Sequence, residues 1–283
     1  MVAVGQVGAQ GLILSELLYQ PHSGEAEYLE LYNAGDTDVD LADYHIVRWV
    51  DDAPGKHYPL PSHTVARHDY VVLTKDAASV SANYTVKYIS KVVECSLPTY
   101  PNDGGSVVLA LKDSSMVEKL DYSPAMHSRL LRDKAGVALE RRSFERPCNE
   151  ASNWFSASSV AGYGTPGYEN SQSDERLVEE AAFTFSSQLI SPDGDNYQDE
   201  LTVDYRMDDG ALSARAEVYD GRGMLVRRLL DGDLLGTAGS FVWDGRNASG
   251  ATVARGQYVI QITVYDRDGA RQTIRRTVAV VER

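Results

Sequence analysis

The sequence predicts an all-β protein made of two β-sandwich bodies in tandem. Three observations carry this. Short stretches alternate apolar and polar side chains with period two, the pattern of strands with one face on a core. Clusters of Gly, Pro, Asn and Asp punctuate them, because these residues supply positive φ, a fixed φ or a side chain that bonds its own backbone. A polar, acidic stretch at 173–181 breaks the pattern and reads as a linker between two strand-rich halves. Length agrees: 283 residues at roughly 100–200 per domain make two domains.

The first half opens with an expected strand at Leu12–Tyr19. Its alternation puts Glu16 on one face with Leu12, Leu14 and Leu18; if that face is buried, the charge needs a partner. The heptapeptide Glu27–Asn33 alternates strictly, with Leu29 and Leu31 pointing one way and Tyr28, Glu30 and Tyr32 the other. Further strands are expected at Tyr44–Val50, Tyr70–Thr74, Val86–Ile89, Ser106–Leu111 and Val117–Tyr122, with Gly136–Arg141 closing the set. Between them lie turn signals at Pro21–Gly24, Asp52–Gly55 and Pro101–Gly105, and a hairpin turn at Asp113-Ser114-Ser115. Many short strands at this spacing mean a sandwich or barrel. Beyond the linker, strands are expected at Phe183–Phe185, Leu201–Tyr205, Ala214–Tyr219, Val226–Leu230, Ser240–Trp243, Tyr258–Tyr265 and Thr273–Val281. Seven strands in about 100 residues is the size of an immunoglobulin-type sandwich.

Composition narrows the function. A hydrophobic content of 43% is ample for two cores. The net charge of −14 repels nucleic acid phosphates and anionic lipid, which argues against nucleic acid as a partner. Arg129, Arg132, Lys134, Arg141 and Arg142 are where a local basic patch would form, although arginines on strands usually just solvate a face. No stretch approaches the ~20 apolar residues needed to span a bilayer as a helix. Residues 1–10 read as a leader stump or a disordered N-terminus, since Val7-Gly8-Ala9 has the small-residue pattern of a signal-peptidase site. Cys95 and Cys148 are too few for a disulfide scaffold or a zinc site. They fit either one disulfide, closing a loop of about 50 residues and adding about 3–4 kcal/mol, or two buried free thiols.

Candidate chemistry is sparse. In the loop Ser191–Glu200, Asp193, Asp195 and Asp199 sit on a tight Gly turn, where carboxylates can converge on a hard cation such as Ca²⁺. The loop is not an EF-hand, because Gln198 stands where that motif has Gly and Asp204 where it has Glu. The alternative is an acidic turn opening a strand. Glu16, Glu27 and Glu30 suit either a cation or ligand site on a sandwich edge, or cross-strand pairing with Arg or Lys and capping of exposed amides; the structural role is the simpler expectation. Tyr28, Glu30 and Tyr32 are the candidate ligand-binding set, as an outward aromatic platform for sugar. Trp49, Trp154 and Trp243 are expected in cores. The six histidines are scattered, and no zinc-protease, nucleophile-elbow, P-loop or dinucleotide-binding motif is present.

Two resemblances add to this. Ser15-Glu16-Leu17-Leu18-Tyr19, Glu27–Asn33 and Asp40-Leu41 resemble the opening of lamin tail domains. Leu139-Glu140-Arg141, Asn153-Trp154 and Gly164-Thr165-Pro166-Gly167 resemble the close of bacterial ones, so the likeness covers about 11–172. Val218–Gly223, Trp243-Asp244-Gly245-Arg246, Gly256-Gln257-Tyr258-Val259 and Asp268-Gly269 resemble the immunoglobulin-like domain of flagellar hook-capping proteins, over about 182–283. The resemblances imply two tandem immunoglobulin-like β-sandwich domains, as in secreted proteins of the Bacteroidetes type. They further imply a non-enzymatic interaction or scaffold protein outside the cell or on its surface, with protein or cell-surface polysaccharide as partner. The second domain would then act as spacer or secretion-sorting element. The other function class is an extracellular carbohydrate-binding protein or hydrolase with its site at one sandwich end.

Overall fold

The structure is a computed structural model, and it describes residues 11–50, 53–173, 182–207, 212–265 and 271–281. They form two compact units. The first comprises the described residues through Ala157 with Gly162–Ser173, the second Ser158–Ala161 with the described residues from 182 onward. The expected leader segment 1–10, the linker apart from Ser173, and the Asp268-Gly269 turn lie outside the described residues.

In the first unit the strands are β1 (Leu12–Leu18), β2 (Tyr28–Asn33), β3 (Val39–Asp40), β4 (Tyr44–Val50), β5 (Ala53–Pro59), β6 (Thr64–Val65) and β7 (Tyr70–Thr74). Helix α1 (Ala77–Asn83) follows, then β8 (Val92–Glu94), β9 (Gly105–Leu111), β10 (Met116–Tyr122), β11 (Leu139–Arg141) and β12 (Trp154–Ser156). One sheet has the order β12-β11-β1-β2-β7-β8, the other β10-β9-β4-β5, with β3 and β6 paired separately. A single core cluster draws Leu14, Leu17, Leu29, Leu31 and Leu73 from the first sheet and Ile46, Val107, Leu109 and Leu120 from the second, with Trp154. Each fully buried leucine contributes about 2 kcal/mol relative to exposure.

Three local differences from the sequence expectation have physical causes. The strand expected at Val86–Ile89 is not formed. Asp76 instead caps α1, its carboxylate accepting the Ser79 N–H at 2.9 Å, and β8 starts later, parallel to β7. The turn expected at Asp52–Gly55 gives way to strand β5 from Ala53; Pro54 is tolerated because β5 is the outer strand of its sheet. Finally, β1 carries a bulge between Leu14 and Glu16. The bulge reverses the inside–outside parity, so Leu12, Leu14 and Leu17 enter the core while Glu16 and Leu18 face the opposite side.

The second unit contains β13 (Ala182–Phe185), β14 (Leu189–Ile190), β15 (Leu201–Arg206), β16 (Ser213–Asp220), β17 (Leu225–Leu234), β18 (Ala238–Trp243), β19 (Gly256–Tyr265) and β20 (Arg271–Val280). Its sheets have the orders β13-β15-β18 and β14-β20-β19-β16-β17. Trp243 is fully buried 5.3 Å from Tyr258, and its indole N–H donates to the Arg246 carbonyl. The Tyr258 hydroxyl donates to the Ala254 carbonyl at 2.7 Å, a bond four residues back along the chain that pins the entry of β19, as a tyrosine corner does. Asp220 closes the β16–β17 hairpin by accepting the N–H groups of Arg222 and Met224.

Candidate functional site

The outer face of the six-stranded sheet is not open. Glu30, Glu16 and Glu140 stand side by side on β2, β1 and β11, in direct cross-strand register, and all three are fully buried. Tyr28 lies on the same face, fully buried in a cluster with Leu18, Val72, Val80, Tyr84, Ala138 and Ala157. The segment Gly164–Gln172 is bonded across the three carboxyl groups. This corrects the outward platform expected of Tyr28 and Glu30. Tyr32 is half-buried at the end of β2, stacked on Phe144 at 4.5 Å. The sheet alternates as expected, but both of its faces are covered.

The donors are specific. Glu16 Oε1 accepts from the Tyr28 hydroxyl at 2.6 Å and the Thr165 N–H at 3.0 Å. Glu30 accepts from the Ser15 hydroxyl at 2.9 Å and the Gly167 N–H at 2.7 Å. Glu140 accepts from the Thr165 hydroxyl at 2.9 Å, the Ser171 hydroxyl at 2.7 Å and the Gln172 N–H at 2.9 Å. The Asn170 amide donates to the carbonyls of Ser15 and Arg141, and the Gln172 amide to that of Ser156. Gly164 must be Gly, because a Cβ there would sit 2.5 Å from the Tyr28 hydroxyl.

Among the described residues no Lys or Arg pairs with Glu16 or Glu30, contrary to the expected cross-strand ion pairs. Glu27 does come near one, Lys75, at 3.8 Å. Burial therefore acts unopposed by a cation. It pushes the Glu16 carboxyl up to about 8, with the neighbouring Glu140 charge adding to the effect. Burial, then the Glu16 charge, lifts Glu30 well above the carboxylate range, and burial raises Glu140. N–H and O–H groups aimed at the oxygens make this an acceptor-filled site, the opposite of what a metal centre offers.

Other expected residues fall as follows. The carboxylate oxygens of Asp193, Asp195 and Asp199 lie within 4.8 Å of one another, exposed or half-exposed. The loop also uses them internally: Asp193 accepts from Asp195 N–H, Asp195 from Tyr197 N–H, and Asp199 from Gly194 and Asn196 N–H. Cys95 and Cys148 are free thiols in the first core. Burial raises Cys95 to about 11 and Cys148 further. Arg141 leaves the expected basic patch, being 3% exposed and bonded to Glu118. Trp154 and Trp243 are core residues, while Trp49 is half-buried beside Val47, Val108 and Ala110, with Lys119 over its ring. The first unit has recesses of about 510 and 450 Å³ that share Lys56, Tyr58, Glu94, Cys95 and Ser96. Burial holds the one thiol in these linings, Cys95, protonated.

Sequence reasoning missed Glu140, Thr165, Asn170, Ser171 and Gln172 as one constellation. A Glu inside an apolar closing strand was the signal for Glu140; nothing local reveals what docks on it.

The fold and its buried acids define a class: tandem immunoglobulin-like β-sandwiches. The comparisons narrow it. Residues 7–124 match the Lamin Tail Domain family model and residues 188–268 match that of the FlgD Ig-like domain. The chain therefore carries a lamin tail domain followed by a FlgD-type immunoglobulin-like domain. No curated protein matches it. Among solved structures, FlgD from P. aeruginosa is similar at 19% identity, covering 35% of this chain and 74% of that one, with a TM-score of 0.26. Dimeric latent PorU from Porphyromonas gingivalis is similar at 10% identity over 96% of this chain and 20% of PorU, with a TM-score of 0.29. PorZ, described as an essential surface component of the type-IX secretion system of the same organism, is similar at 11% identity over 95% of this chain and 39% of PorZ, with a TM-score of 0.27. This chain thus spans only a small part of PorU or PorZ, and at such TM-scores neither likeness bears on activity or partner.

Proposed function

We propose that this chain is a non-enzymatic part of a secreted or cell-surface protein, in which the lamin tail domain binds and the FlgD-type domain serves as spacer or secretion-sorting element. The observation that carries this reading is the state of the buried acids. The one convergent set of carboxyl groups inside the first unit's described residues is bonded to the protein's own donors and covered by its own chain. Such a set holds a fold together; it offers no open position to a substrate. The matched families are non-catalytic modules, which points the same way. The net charge of −14 favours a protein or a neutral polysaccharide as partner over nucleic acid.

The test uses the producing cells. Tagged full-length chain is expected on intact cells, accessible to external protease, and a variant lacking residues 182–283 is expected to be retained inside or released without attachment. The purified chain is expected to turn over none of a panel of glycoside, ester and peptide substrates. Exclusive recovery from the cytoplasm, or turnover abolished by one side-chain replacement, would overturn the proposal in favour of an enzyme.

A further inference from the structure

The donors around the three buried glutamates do not suffice for three carboxylates. Five of the six oxygens have a donor at 3.0 Å or closer. Glu16 Oε2 has only two longer contacts. One is to the Thr165 N–H at 3.2 Å, which sits nearer Oε1; the other is to the Thr165 hydroxyl at 3.2 Å. That hydroxyl has one proton and three acceptors in reach: Glu140 Oε1 at 2.9 Å, Glu16 Oε2 at 3.2 Å and Asn170 Oδ1 at 3.4 Å. A hydroxyl also accepts. A proton on Glu16 Oε2 would donate to the Thr165 oxygen, which donates on to Glu140. The chain Glu16–Thr165–Glu140 is then complete, with every oxygen satisfied and one negative charge fewer in a dry site.

The surroundings do not supply that charge relief in another way. From β2, Tyr28 faces the site and is already Glu16's donor. From the α1 side comes the Tyr84 ring, whose hydroxyl donates to the Gly136 carbonyl. On β11, Arg141 sits next to Glu140 but points to the other side of the sheet, onto Glu118. On the covering segment, Lys91 reaches only the Gly167 carbonyl and is paired with Asp69, while Lys87 lies over the Tyr168 ring. Every one of these contacts leaves the trio without a cation.

We propose that Glu16, Glu30 and Glu140 with the segment Gly164–Gln172 form a proton-dependent latch. The segment stays docked while the Glu16–Thr165 bridge holds its proton and opens when the trio is fully ionised. The segment is the device's moving part because most of its bonds to the sheet run through the acids, beside the Asn170 and Gln172 amides on the Ser15, Arg141 and Ser156 carbonyls. Thr165, Gly167, Ser171 and Gln172 all donate to the trio. The sheet itself is held by separate strand pairing and its own core on the other face. The inference does not depend on what the domain binds.

Hydrogen exchange of the full chain, followed by mass spectrometry from pH 6 to 9.5 and corrected for the intrinsic rate, tests it. Opening linked to the loss of one proton rises tenfold per pH unit. Amides of 164–172 are expected to lose protection with that slope in the alkaline range while β1 and β2 keep theirs. In Glu16→Gln, which is neutral at every pH and similar in shape, the slope is expected to vanish with the segment still protected. Should Glu16→Gln fail to fold, Glu140→Gln removes the charge at the other end of the same bridge and is expected to flatten the slope. Protection independent of pH in the wild type, an unchanged slope in the variants, or simultaneous loss across the whole domain would each overturn the latch.

Discussion

Replacing Arg141 by Met is the sharpest test of how the first domain is held together. The guanidinium is 3% exposed. Its Nη1 donates to both Glu118 oxygens, at 2.9 and 3.1 Å, and to the Leu14 carbonyl at 3.1 Å. Nη2 reaches the Arg146 carbonyl and Nε that of Ser143. The side chain therefore ties β11 to β1, to β10 and to the loop after it. Met fills most of the volume but leaves Glu118, 15% exposed, with the Leu14 N–H as its remaining bond in this group. Removing one partner of such a buried pair costs about 3–5 kcal/mol, because the other charge stays behind uncompensated. Glu118→Gln in the same chain is expected to return part of that loss, since the leftover charge is its source. A double-mutant cycle by urea unfolding, followed through the buried Trp154, reads the coupling. A cost under about 1 kcal/mol for Arg141→Met, typical of surface pairs, would show that this ion pair is solvated and does not tie β11 to its neighbours.

Three further outcomes are expected. The raised Glu16 carboxyl makes the folded state bind more protons than the unfolded state between pH 4.5 and about 8. Stability of the first domain should therefore be full below about 4.5 and fall as pH rises through 8, by a total on the order of 5 kcal/mol. Urea melts at intervals across that range check this, and stability rising with pH would refute it. Calcium titrated by calorimetry is expected to give no heat at the Asp193–Asp199 loop, whose carboxylates already accept its own N–H groups. Binding at about 10⁻⁴–10⁻³ M that Asp199→Asn abolishes would instead make the loop a cation site. Both Cys95 and Cys148 are expected to react with a thiol reagent in denaturant without reductant, and only slowly in the native protein, because burial keeps them protonated. A single-bridge mass with no reactive thiol would contradict this.

The strands were largely legible because their period survives in the sequence: Glu27–Asn33, Tyr44–Val50 and Tyr70–Thr74 form close to where alternation places them. The turn signal at Asp113-Ser114-Ser115 also marks a hairpin in the structure. What the sequence hid is which faces are covered. Alternation tells two sides apart but does not say that a segment more than 130 residues downstream of Glu30 lies over the second one. The bulge after Leu14 is equally silent, since Leu-Ser-Glu reads as unbroken alternation until the partner strand fixes its register. Glu16 and Glu30 stand in the sequence as acids in apolar strands, for which Arg, Lys or exposed amides are the expected partners. The chain uses backbone amides together with hydroxyl groups and no cation, as Ser15, Thr165 and Gly167 show.

The central claim is that three glutamates are buried together without a cation and keep a proton at neutral pH. Carbon-detected NMR of the glutamate side-chain carboxyls, titrated from pH 3 to 9, reads this directly. The Glu16 resonance is expected to hold its protonated shift through neutral pH and to move near pH 8, coupled to those of Glu30 and Glu140. Midpoints near 4.5 for all three would mean that the acids are solvated, and the closed sheet face described here would be contradicted.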